Sequence, residues 1–186
     1  MSYFVLQART PVDDEGGYYD IGDGIELDGV RSWALGVPIT ASLATPLVVP
    51  LTPIEGFTGD VPALADGYLC LMSHPLVEAL RAAGVDNLQT FDAVLVDETH
   101  GRTFAYQAVN IIGMVAAADL QASQWENLDG PAKMDTHFDE LKIDPDRALG
   151  LLLFRLAENT GIIVVHERIK KALEAAGIPT LVFLPA

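Results

Sequence analysis

The sequence predicts an α+β fold, a mostly antiparallel sheet with two amphipathic helices in strand–helix–strand units and a turn-rich N-terminal region. Three observations carry this. Apolar runs precede and follow two helix-patterned segments, near residues 74–84 and 166–177. Two β-rich runs, Phe91–Val96 and Arg102–Asn110, flank the loop Asp97–Gly101, which reads as a hairpin. Residues 1–66 are rich in Gly, Pro and acids, which favour turns over regular elements.

Taken in order, Tyr3–Leu6 is the first strand. Val12–Gly29 then holds five Gly and seven acids, Asp13, Asp14, Glu15, Asp20, Asp23, Glu26 and Asp28, without a base. Gly supplies positive φ and Asp caps its own turns, so this stretch is surface loop, with Ile25–Leu27 a short edge strand between two turns. Ser32–Ile54 is uncharged for 23 residues but holds Pro38, Pro46, Pro50 and Pro53. Each proline removes a backbone donor that lipid cannot replace, so the segment is read as extended chain over a core rather than a membrane span. Leu47–Leu51 is a strand candidate weakened by Pro50.

Tyr68–Met72 is a short buried strand. Ser73 caps a helix with Pro75 in its first turn, and Gly84 ends it after Leu76, Val77, Leu80 and Ala83 at helical spacing. Past the hairpin, Trp125–Asp135 is a polar loop and Leu141–Ile143 a short strand. Asp146–Glu158 fits a buried strand or a buried helix, and periodicity does not choose. Ile162–Val165 is a strand, His166–Ala176 a helix that Gly177 stops, and Thr180–Leu184 the last strand. Leu76–Val85 aligns without gaps on Ile169–Ile178, 93 residues later. Two strand–helix–strand units in one fold explain the match; so does the commonness of A-L-x-A-A-G as a helix ending.

The chain has 186 residues, half of them apolar, and 26 Asp+Glu against 11 Lys+Arg, a formal charge of −15. That size suits a single domain spanning 1–186, loop-rich over 1–66 and built from strand–helix–strand units over 67–186. The acidity argues against nucleic acid as a partner. One cysteine excludes a disulfide framework and a thiolate zinc cluster. The N-terminal residues show no secretory pattern, and the cytoplasm is the expected compartment.

No catalytic residues, cofactor site or metal site are expected. There is no G-x-S-x-G elbow and no phosphate-binding glycine motif, and Cys70 sits in an apolar run. Asp135, His137 and Asp139 alternate as strand ligands would, and Asp20, Asp23, Glu26 and Asp28 offer carboxylates to a hard cation, but neither set fits a known metal loop. Arg155 in an apolar run demands a carboxylate, Glu158 or another acid, and a structural ion pair is favoured.

The runs Leu71–Phe91, Tyr106–Leu120, Leu153–Asn159 and Ile163–Leu173, and more weakly Trp33–Ile39, resemble a bacterial family once listed as a domain of unknown function. That family is grouped with immunity proteins encoded beside polymorphic toxins, as immunity family eleven. The likeness covers roughly residues 67–178. It implies an α+β protein, not an enzyme, that binds and neutralises a cognate toxin domain, often a nuclease, inside the producing cell. On that reading a basic toxin domain is the partner, captured by Asp13, Asp14, Glu15, Asp20, Asp23, Glu26 and Asp28 with Tyr18, Tyr19 and Trp33 as apolar anchors. The rival readings are a small enzyme or a small-molecule- or metal-binding protein with a pocket near Arg155, and a subunit that self-associates through a strand edge.

Overall fold

Burial alternates along Tyr18–Ile21, Leu47–Ile54 and the second half of Leu88–Asp97, whereas Cys70–Ser73, Leu153–Leu156 and Ile163–His166 are buried almost throughout. The computed structural model describes residues 2–22, 25, 27–30, 32–127 and 130–186. Its elements run β1 (Tyr3–Ala8), β2 (Tyr18–Ile21), β3 (Leu47–Ile54), β4 (Leu64–Asp66), β5 (Cys70–Ser73), α1 (His74–Ala82), β6 (Leu88–Asp97), β7 (Arg102–Ile111) and β8 (Met114–Val115). They continue with β9 (Gln124–Glu126), β10 (His137–Glu140), α2 (Pro145–Ala148), β11 (Leu153–Leu156), β12 (Ile163–His166), α3 (Glu167–Ala175) and β13 (Leu181–Pro185). The fold is α+β and mostly antiparallel. One sheet has the order β13-β1-β12-β11-β8, a second the order β2-β3-β6-β7-β5-β4, and β9 pairs with β10.

The repeated helix sequence marks a larger match. β5 and β6 flank β7, both antiparallel to it, and β12 and β13 flank β1 in the same way. Each helix therefore crosses over one intervening strand. The registers coincide: Ser73 faces Tyr106 as His166 faces Tyr3, Leu71 faces Ala108 as Val164 faces Val5, and Leu88 faces Ile111 as Leu181 faces Ala8. Both helices end on a left-handed glycine, Gly84 (φ 98°) and Gly177 (φ 65°), where an added Cβ would be strained. Outside each unit a further strand pairs antiparallel, with Asp66 opposite Cys70 in one and Arg155 opposite Ile163 in the other. Asp66 and Arg155 thus hold equivalent places, and they bind each other. As in a two-fold arrangement, equivalents meet: α1 also packs on α3.

Leu76, Leu80, Ile169 and Leu173 fill the core between the helices and both sheets. A second core lies between the other face of the six-stranded sheet and the proline-rich segment, where Trp33, Phe57 and Val61 cover Val49, Leu95 and Ala108.

Several expectations are corrected. β3 is an interior strand despite Pro50, because it pairs with β6 over Leu47–Pro50 and with β2 over Leu51–Ile54. The Pro50 carbonyl faces β2 and accepts the Gly22 N–H (3.0 Å); the missing N–H faces that same side, away from β6, so the β3–β6 ladder loses no bond at Pro50. Tyr18–Ile21 is an edge strand; the expected strand Ile25–Leu27 contains Glu26, which with Asp23 and Gly24 lies outside the described residues. Asp97 pairs with Arg102, which shortens the hairpin loop to four residues. Ser73 sits at the N-cap of α1 but makes no side-chain cap bond, whereas the His166 ring accepts the Arg168 N–H at 3.1 Å. Within Asp146–Glu158, left-handed Leu149 and Gly150 end α2 after one turn and free β11 to pair as a strand. Leu141–Ile143 reduces to a single bridge, Ile143 to Ala118, and the expected loop after Trp125 begins as β9.

Candidate functional site

Charge is divided unevenly along the chain. Residues 1–132, which supply the whole six-stranded sheet, hold four Lys+Arg against eighteen Asp+Glu; residues 133–186 hold seven against eight. Residues 1–132 therefore carry nearly all of the net charge.

Asp13, Asp14 and Glu15 form an exposed turn after β1. Asp13 Oδ1 accepts the N–H groups of Glu15 (3.0 Å) and Gly17 (2.8 Å), which fixes the turn. Tyr18 and Asp20 point outward from β2, and Asp28 is exposed in a later turn. None of these five acids makes an ion pair among the described residues. Asp23 and Glu26 lie outside the described residues.

Two expected anchors are not on the surface. Tyr19 is 4% exposed and Trp33 2% exposed. Tyr19 alternates with Tyr18 on a strand, so only one of the pair can face solvent. Trp33 packs edge to face on Phe91, with ring centroids 5.5 Å apart, and belongs to the core.

The surface beside Tyr18 was not foreseen. Residues opposite one another in a ladder share a face. Tyr18 and Asp20 therefore lie with Thr52 and Pro50 of β3, and through β6 and β7 with Val94, Val96, Thr103 and Ala105. Among the described residues, α1 covers this face at its far end, over Val109 and Ile111. The remainder is open: Val48 is 64% exposed and Tyr18 40%. An apolar residue at the outward position of an alternating strand, as in Leu47-Val48-Val49, was the signal available in the sequence.

Behind this face, Tyr19 closes a buried polar network. Its hydroxyl donates to Asp97 Oδ2 (2.9 Å), which also lies 2.8 Å from His100 Nδ1, while the His100 N–H donates to Oδ1 at 3.1 Å. Arg102 donates to the Tyr19 hydroxyl (3.1 Å) and to the carbonyls of Thr58 and Gly59, and its guanidinium stacks on Phe104. Burial pushes the Asp97 carboxyl up, but the bonds from His100 and Tyr19 outweigh it and leave the pKa below its ordinary value. A folded pKa below the unfolded one stabilises at neutral pH, and the gain is lost as pH falls through the folded value. Asp97→Ala is therefore expected to cost about 3 kcal/mol at pH 7 by stranding the Tyr19 and His100 donors. Urea unfolding from pH 7 to pH 2 checks this: the variant's stability should fall less on acidification than that of the wild type.

Arg155, 2% exposed, is an ion-pair residue as expected, but its partner is Asp66 rather than Glu158. Nη1 and Nη2 donate to Asp66 Oδ2 (3.0 Å) and Oδ1 (2.7 Å), and Nη1 also donates to the Thr160 carbonyl at 2.8 Å. A cavity of about 430 Å³ between the two sheets reaches Asp66 and Tyr19, with the Asp66 charge already met by Arg155. Cys70 is buried beside this pair; burial first, then the Asp66 charge, push its thiol well above the usual range.

Of the alternating metal set, His137 and Asp139 stand 3.5 Å apart, while Asp135 bridges to Asn159 outside β10. No group of three His, Cys, Asp or Glu side chains able to hold a metal occurs among the described residues. Nor is any described helix long and apolar enough to cross a membrane. No protein-family model and no curated protein matches the chain. The likeness to the immunity family rests on the sequence runs alone.

Proposed function

We propose that this protein binds a basic partner domain one to one and neutralises it, acting as the immunity protein of a cognate toxin domain. The observation that supports this best is the pairing of an uncovered sheet face with unneutralised acids on the same half of the molecule. Charges of one sign steer an oppositely charged partner and reject others, an effect that falls with salt because screening acts within about 8 Å at physiological ionic strength. Exposed apolar residues such as Val48 and Tyr18 then supply contact area that charge does not, and well-packed anchors dominate interface energies. A basic substrate-binding cleft, as in many nucleases, is the complementary surface. The toxin domain encoded beside this gene, produced alone and together with this protein, tests the reading in cells. Growth restored by co-production supports it; unchanged growth arrest, with both proteins present in the cell extract, overturns it.

A further inference from the structure

We propose that the cleft between the turn after β1, the β3–β4 connection, β7 and the loop before β13 binds a guanidinium or amidinium group carried on a flat apolar body. The cleft is about 530 Å³, and its walls include Val12, Phe57, Val61 and Phe104 together with the carboxylates of Asp13 and Asp60. Its composition points to the ligand. Pro11, Val12, Phe104 and Pro179 offer apolar surface, Phe57 being only 3% exposed, while the charged side chains lining it are both acids. Neither acid meets a cation among the described residues, and Asp60 makes no hydrogen bond there either. Asp13 spends Oδ1 on its own turn, and Oδ2 has no donor among the described residues. The cavity at Asp66 lacks this property, because Arg155 already satisfies that carboxylate.

Two neighbouring features support the assignment. Arg102 holds its guanidinium 4.9 Å from the Phe104 ring centroid and donates to the carbonyls of Thr58 and Gly59. This neighbourhood therefore already stabilises one planar cation by ring stacking and oxygen acceptors. The cleft wall is also strained: Thr180, β-branched, has φ 66°. It is held there by the Arg9 N–H on its carbonyl (2.8 Å) and the Ala63 N–H on its hydroxyl (3.0 Å). Backbone strain maintained by surrounding bonds collects at binding sites.

The inference deepens the proposed function, from which it takes only the owner of the group, an arginine of the partner domain. Benzamidine tests it without any partner. Titrated at low salt up to about 20 mM and followed by amide chemical shifts, it is expected to bind with a dissociation constant on the order of 1 mM. The shifted amides should centre on Phe57–Val61, Phe104 and Thr180. Uncharged benzamide should bind at least about tenfold more weakly, and so should benzamidine to Asp13→Asn/Asp60→Asn, in which the amide at position 13 keeps the turn's acceptor oxygen. Equal binding of benzamide and benzamidine, shifts centred elsewhere, or none at all would overturn the assignment and leave the immunity reading standing. A toxin domain that fails to bind would leave the cleft standing.

Discussion

Asp66→Ala is expected to destabilise the fold by about 3–5 kcal/mol, because it leaves the Arg155 guanidinium buried without its carboxylate. The pair joins β4 of one sheet to β11 of the other at equivalent positions of the two matched units, so its loss falls on the contact between them. Thr160 offers one carbonyl in compensation, too little for a full charge. Urea unfolding gives the cost directly. The double variant Asp66→Leu/Arg155→Met should recover most of the loss, since an apolar replacement carries no desolvation penalty. A cost below about 1 kcal/mol for Asp66→Ala would mean that water reaches the guanidinium, contrary to its burial.

The second large effect is on association. Converting Asp13, Asp14, Glu15 and Asp20 to their amides removes four exposed negative charges from the turn after β1 and from β2. It should slow capture of the proposed basic partner by roughly tenfold at low salt, with little change in the dissociation rate. Near 0.5 M salt, where screening is roughly complete within a few ångströms, the two proteins should associate at similar rates. Stopped-flow mixing at both salts measures this. Equal rates at low salt would remove the turn and β2 from the encounter surface. Thermal unfolding of the variant should match the wild type, since these side chains make no ion pairs among the described residues and an amide at position 13 can still cap its turn.

Much of the fold was legible because it is local. The helices, their glycine stops and the central hairpin follow from spacing and turn chemistry within about ten residues. The short echo at Leu76 and Ile169 was ambiguous as sequence, and only the paired registers around β7 and β1 show how far the correspondence extends. What sequence could not give was non-local. Nothing near Arg155 indicates that Asp66, rather than Glu158, completes its pair. Nor does composition disclose that β3 changes neighbours at Pro50, which lets an interior strand keep its prolines. The candidate site was legible in charge and misplaced in its anchors. Tyr18-Tyr19 reads as two aromatics among acids, but a strand can expose only one, and burial of Tyr19 against Asp97 decides which. The Phe57–Phe104 cleft draws on four separated segments and had no local signature.

An acidic, partly open surface is proposed to capture a basic protein. Calorimetric titration of the domain encoded by the neighbouring gene, at low and at moderate salt, tests this proposal. One-to-one binding that abolishes the domain's activity and weakens steeply as salt rises is the expected result. Absence of binding at both salts, or tight binding indifferent to salt, would contradict it.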